Sequence, residues 1–195
     1  MADRNGAGSQ RLFLGIPVPS VDSLQELRQV LLTLTAENGA AMRMVAPPDL
    51  HITLKFLGKV ADPRVPDVTR VMAQVVRQWP SLALSLEGVG AFGNAIWVGV
   101  REPVDLPLTG LAAELDRQMG LAGFAEETRP YRPHLTVARL APGASVPLPE
   151  LQARFGERHW GKLPVNQVHL YASRTLPTGA RYTVLETVYL AGTRA

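Results

Sequence analysis

The 195-residue sequence contains no cysteine. That absence removes disulfide scaffolds, cysteine nucleophiles and thiolate-bound metals in one step. It also has no apolar run long enough to span a bilayer and no hydrophobic segment of a secretory leader, so a cytoplasmic protein without membrane partners is expected. Charge is sparse, with 19% of residues charged and a net excess of +3. This is too little for a protein that coats a long duplex through its phosphates, and it suits a short or terminal piece of nucleic acid better. Gly-x-Ser-x-Gly, P-loop and His-Glu-x-x-His motifs are all missing, which disposes of the common hydrolase and nucleotide-binding signatures.

What is present is an ordered, 46% apolar chain long enough for one sizeable core. Residues 1–10 are mostly Gly, Ala, Ser, Asn and Asp without an apolar run and read as a flexible leader, and 11–190 as a single bilobal domain. Arg11 to Val18 reads as a first strand. Ser23 with Glu26 gives a capping-box pattern before Leu24, Leu27, Leu31 and Leu34, which predicts a helix to about Asn38-Gly39. A short strand at Met42 to Val45, a Pro47-Pro48 turn and a strand from Leu50 to Leu57 ended by Gly58 follow. Val65 to Trp79 predicts a second amphipathic helix. Strands at Leu82 to Leu86 and Ala95 to Val100 flank a glycine-rich turn, Gly88 to Asn94. A third helix runs from Leu108 to Met119, stopped by Gly120, then come a strand from His134 to Arg139, a short helix near Pro149 to Phe155, and strands at Leu163 to Ser173 and Tyr182 to Leu190.

The most informative feature is a repeat: His51-Ile52-Thr53-Leu54 recurs as His134-Leu135-Thr136-Val137. Each copy alternates polar with aliphatic residues and reads as a strand, so each histidine shares a face with the threonine two residues on. One copy alone is equally what a half-buried strand carrying a histidine looks like. Two copies in matching contexts point to a two-histidine site and to an ancient internal duplication.

The chemistry that needs this arrangement is displacement at phosphorus. Attacking and leaving oxygens lie on opposite sides of the phosphorus atom, so a base and an acid must come from two places on the protein. Histidine serves both roles because its ordinary pKa, near 6.5, lets one copy be neutral while the other is protonated. Thr53 and Thr136 would donate to the non-bridging oxygens, where charge grows. No cofactor or metal is required, and His-x-Thr lacks the ligand spacing usual in zinc sites.

Leu50-His51-Ile52-Thr53-Leu54-Lys55-Phe56-Leu57-Gly58 resembles the first motif of the 2H phosphoesterase superfamily. Together with Arg11-Leu12-Phe13, Arg129 to Arg139 and Leu170-Tyr171-Ala172-Ser173, it is similar to the bacterial and archaeal RNA 2′,3′-cyclic phosphodiesterases, first described as 2′-5′ RNA ligases. The resemblance covers about residues 11 to 190. It implies an α+β fold, with pseudo-twofold duplicated antiparallel sheets, outer helices and a central groove between two lobes. It also implies hydrolysis of RNA 2′,3′-cyclic phosphate ends, tRNA fragments among them, to 2′-phosphates by a monomer, with His51 as proton donor and His134 as acceptor. Weak reverse 2′-5′ ligation would follow.

The family arginine five residues after the second histidine corresponds to Arg139. In a regular strand that residue faces away from His134, and a bulge or a strand end at Ala138 would have to redirect it. Arg132 has the right parity but ranks second as phosphate ligand. Phe13 resembles an aromatic flanking the groove that stacks on a base, and a core position fits it equally well. Lys55 shares parity with His51, which places its charge near the groove or at a solvated strand end. His159 reads as a surface loop residue and His169 as the solvent side of a strand. The alternatives left open are a phosphodiesterase for small cyclic phosphates such as a cyclic nucleotide or ADP-ribose cyclic phosphate, a non-catalytic RNA-binding module, and a metal-dependent hydrolase.

Overall fold

Alternating aliphatic and polar residues build nine strands among the described residues, and in the computed structural model these join in one antiparallel sheet. The structure describes residues 8–19, 22–37, 42–176 and 179–192. Most of the expected leader, residues 1–7, lies outside them, but Ser9 and Gln10 already belong to the first strand. The strands are β1 (Ser9–Pro17), β2 (Met42–Met44), β3 (His51–Ala61), β4 (Leu82–Phe92), β5 (Ala95–Arg101), β6 (His134–Leu140), β7 (His159–Val165), β8 (Gln167–Leu176) and β9 (Gly179–Tyr189). Their order across the sheet is β7-β4-β5-β6-β3-β1-β8-β9, with β2 added alongside β6. The two histidine strands are therefore neighbours at the centre. Each carries its own flank, β1, β8 and β9 beside β3 and β5, β4 and β7 beside β6, which is the expected pseudo-twofold duplication.

Helices α1 (Gln25–Glu37), α2 (Val65–Val76), α3 (Leu108–Leu121) and α4 (Leu148–Phe155) cover one side of this sheet. α2 and α3 pack on each other, on β3 and on the β8–β9 edge, while α1 and α4 serve β2 and β4. α2 is rich in β-branched residues of low helix propensity. Burial of Val68, Val71, Met72, Val75 and Val76 compensates, at about 1.5–3 kcal/mol per fully buried side chain. Ile52, Leu135, Leu14 and Val98 point into this same core, so the opposite face of β1, β3, β5 and β6 is left for the polar residues. No helix among the described residues is long and apolar enough to cross a membrane.

Several boundaries differ from the sequence expectation for identifiable reasons. Gly58 does not end its strand: it adopts φ 68° beside a shift in the β1–β3 register, so only the pairing is interrupted and β3 runs on to Ala61. Likewise β4 continues through Gly88, and the turn shrinks to Gly93-Asn94. Residues 163–173 are not one strand: Asn166 separates β7 from β8, which sit on opposite flanks of the sheet. Asp22–Leu24 form a 3₁₀ turn before α1, and Ser23 Oγ donates to the Trp160 carbonyl rather than working as a cap with Glu26. Glu26 instead pairs with Arg154 at 3.0 Å and Arg158 at 3.4 Å.

Candidate active site

β3 and β6 run antiparallel with Ile52 opposite Leu135. That pair lies between His51 and Thr53 on one strand and between His134 and Thr136 on the other, so the two motifs sit side by side. Both strands then carry the same irregularity. On β6, Thr136 pairs with Trp97 but Ala138 pairs with Ile96, which leaves Val137 as an extra residue. Val137 and Ala138 are both buried, and Arg139 emerges on the face of His134 and Thr136. The parity conflict for Arg139 is resolved by this bulge. On β3, Thr53 pairs with Gly15 and Lys55 with Leu14, which leaves Leu54 extra.

The β3 bulge overturns the expectation for Lys55. Its side chain is 2% exposed and turned to the helical side, where Nζ donates to Asp116 Oδ1 and, at 2.7 Å, to the Ala125 carbonyl. It is neither in the groove nor a solvated strand end. Phe56 emerges in its place, 64% exposed, at the same offset from His51 that Arg139 has from His134.

The two imidazoles are anchored alike. His51 Nδ1 lies 2.7 Å from the Asp49 carbonyl, and His134 Nδ1 lies 2.7 Å from the Arg132 carbonyl. A carbonyl only accepts, so Nδ1 carries hydrogen in each ring and Nε2 is left for other chemistry. Local chain stiffness favours both arrangements: a 3₁₀ turn with prolines at its start precedes His51, and Pro133 disfavours a helical conformation at Arg132. Tyr131 Oη donates to the Thr53 carbonyl at 3.0 Å, which ties the Arg132 loop to the other motif strand.

His51 sits within an aromatic cluster, 4.7 Å from Phe13, 4.9 Å from Tyr182 edge-on and 5.6 Å from Tyr171 between ring centres. Around His134 are Phe92, edge-on at 4.8 Å, and Trp97 at 6.4 Å. Trp97 is seated on Gly90, where a Cβ would stand 2.2 Å from the indole. Burial lowers the pKa of both histidines; the bond to the Asp49 or Arg132 carbonyl opposes this, and the positive charge of Arg139 lowers each further. The charge of Arg139 thus reaches both rings. Its guanidinium also donates to Asn94 Oδ1 at 3.4 Å.

Thr53 and Thr136 are half-buried on the histidine face. Arg132 is exposed, and its contact with the site is made through its carbonyl. Phe13 is 3% exposed, its ring closed in by Tyr171 stacked at 4.8 Å, His51 at 4.7 Å and Tyr182 edge-on at 5.2 Å, so it is not open to a base. His159 opens β7, exposed and 3.6 Å from Glu87. His169 is half-buried rather than on the solvent side, with Nδ1 3.1 Å from Tyr171 Oη. It shares the face of Tyr171, which turns toward His51.

A profile of the 2′-5′ RNA ligase superfamily matches residues 16–175. The chain belongs to this superfamily. A relative from Methanothermobacter thermautotrophicus named RNA 2′,3′-cyclic phosphodiesterase is 33% identical over 153 residues, 75% of this chain and 82% of its own length. The Escherichia coli protein of the same name is 31% identical over 182 residues, 91% of this chain and 94% of its own. The crystal structure of E. coli LigT complexed with 3′-AMP aligns with TM-score 0.69 and 28% identity, covering 94% of this chain and 99% of that one. Membership in the 2′-5′ RNA ligase superfamily supports a phosphodiesterase.

The span matched to the superfamily holds both His-x-Thr strands and Arg139 but stops short of Phe13 and Tyr182. The aromatic wall of His51 is thus built partly from outside it. Of the groove residues, sequence reasoning missed Phe56, Tyr182, Phe92 and Trp97. For Phe56 the signal was present: it follows His51 at the interval by which Arg139 follows His134.

Proposed function

We propose that the protein hydrolyses 2′,3′-cyclic phosphate ends of RNA to 2′-phosphates by two-histidine acid/base catalysis without a metal. The observation that carries this reading is the paired anchoring of His51 and His134, each by Nδ1 on a backbone carbonyl at 2.7 Å, on adjacent strands related by one antiparallel register. His134 Nε2 accepts a proton from water as its oxygen attacks phosphorus. The P–O3′ bond breaks on the far side, and His51 Nε2 delivers its proton to the departing 3′ oxygen. Charge accumulates on the non-bridging oxygens, which Thr53, Thr136 and Arg139 meet as donors. With an RNA 5′-hydroxyl attacking in place of water, the same steps give a weak 2′-5′ ligation.

Phe56, exposed at the rim, takes the base-stacking role expected of Phe13, whose ring is closed in. A metal-free scheme is supported by the donor set: among the described residues, no three of His, Cys, Asp and Glu gather within reach of one ion. The test is a short RNA ending in a 2′,3′-cyclic phosphate, incubated with pure enzyme and excess chelator and followed by phosphorus NMR. Conversion to a 2′-phosphate is expected. A 3′-phosphate product, or activity lost to chelator and restored by a divalent ion, overturns the scheme.

A further inference from the structure

β2 is only three residues long, and its register sets Arg43 directly opposite Arg139 on β6. Met42 and Met44 pack against the core, so Arg43 projects to the other face, beside Arg139. Like charges opposed across an antiparallel pair repel and cost stability, which an anion bound between or beside them reverses. The guanidinium of Arg43 reaches across to the start of β9: a Cβ on Gly179 would stand 1.7 Å from Arg43 Nη1, so a side chain there would displace it. Three residues on, Tyr182 packs edge-on against His51 at 4.9 Å. Its phenol feels the positive charge of Arg139 and, more weakly, of Arg43, and between them in strength the opposing charge of Asp49, a carboxylate that Arg181 pairs with at 3.7 Å. Arg139 and Arg43, side by side across β6 and β2, thus carry positive charge from the second histidine motif toward the start of β9.

We propose that Arg43 and Tyr182 Oη form a second phosphate subsite, which binds the phosphodiester on the 5′ side of the terminal nucleotide while Arg139 attends the reacting phosphate. The proposal rests on the two-histidine reading above and names its substrate class, an oligonucleotide end rather than a mononucleoside cyclic phosphate. Guanidinium N–H groups donate in a fork to the non-bridging oxygens, and the phenol O–H adds a third donor. The terminal nucleoside lies between the two anions.

The test compares a dinucleotide ending in a 2′,3′-cyclic phosphate with the matching nucleoside 2′,3′-cyclic phosphate. The wild-type protein should favour the dinucleotide in kcat/KM by about tenfold, mostly through KM, as one charge-assisted contact predicts. Arg43→Gln should abolish that preference, and Arg43→Lys should keep part of it. An unchanged preference in Arg43→Gln, or equal losses on both substrates, overturns the proposal. Calorimetric binding of a nucleoside 3′-phosphate with and without a 5′-phosphate gives an answer independent of turnover. The 5′-phosphate should tighten binding to the wild type and not to Arg43→Gln; the same gain in both proteins sinks the subsite. If neither cyclic substrate is hydrolysed, the proposed function fails, and the binding comparison still judges Arg43.

Discussion

The β3 and β6 motifs share one frame and fill it differently. Each runs from an anchored histidine through a threonine to a bulge of two buried residues, and then presents one more side chain to the groove. That side chain is Phe56 in one lobe and Arg139 in the other. The buried pair is Leu54-Lys55 in the first and Val137-Ala138 in the second. His51 is the more deeply buried ring, within Phe13, Tyr171 and Tyr182, whereas His134 lies more openly against Phe92 and Trp97. On the proposed mechanism, a duplicated scaffold supplies the symmetric part of in-line chemistry, two opposed proton carriers. The asymmetric part of that proposal, a cation for the phosphate and a surface for the base, rests on single positions after each bulge.

The most damaging way to break the symmetry is to remove one ring. His51→Ala or His134→Ala should each lower kcat by about 10² to 10⁴, the usual worth of one proton transfer. The double variant should be little worse than either single one, because an acid and a base serving the same displacement act as a unit. Additive losses measured in single-turnover assays would mean that the rings work in separate steps.

The residues after the bulges come next. Arg139→Gln should reduce kcat/KM by about 10- to 100-fold through both binding and rate, since its charge meets a group more negative in the transition state. Phe56→Ala should cost about tenfold and act mainly on KM, as the loss of a stacking platform does. A comparable loss of kcat in Phe56→Ala would erase the division of labour between the two positions.

The sequence revealed the histidines, the threonines and the duplication because those signals are local: a period of two, a repeated tetrapeptide, prolines before each motif. It misplaced Lys55 and left Arg139 in conflict for one physical reason. A bulge changes strand parity but depends on the partner strand's register, which a single chain read along its length does not display. Phe13 read equally as core and as stacking surface because its covering partners, Tyr171 and Tyr182, come from the far end of the chain. The break at Asn166 was invisible because β7 and β8 are both strands of similar composition, and only their separate partners, β4 and β1, distinguish them.

Lys55→Met sharpens the difference between the buried pairs without touching the groove. It leaves Asp116, 24% exposed, with its bond from the Glu127 amide but without its cation. The expected cost is about 1–3 kcal/mol, seen as a fall of several degrees in Tm. Activity of the folded fraction should hold. The equivalent change on β6, Ala138→Met, should also destabilise, but by overpacking a fully buried site. A Lys55→Met protein of wild-type stability would show that the ion pair only breaks even with an apolar side chain.

The smallest expected effect is a shift along the pH axis. Both imidazoles have pKa values lowered from 6.5, by burial first and by the charge of Arg139 in addition. In the free enzyme the productive form needs His51 protonated and His134 neutral, so kcat/KM should trace a bell centred below 6.5, its limbs belonging to the coupled pair. An anionic substrate favours the protonated rings, so the kcat profile should lie at higher pH than that of kcat/KM. Removing the guanidinium in Arg139→Gln lifts one of the depressing charges from both rings, so both limbs should move upward together by less than about one unit, the ordinary size of a single-charge effect. Movement of one limb alone would place Arg139 beside one histidine only, and the pseudo-symmetric site would give way to two unequal ones.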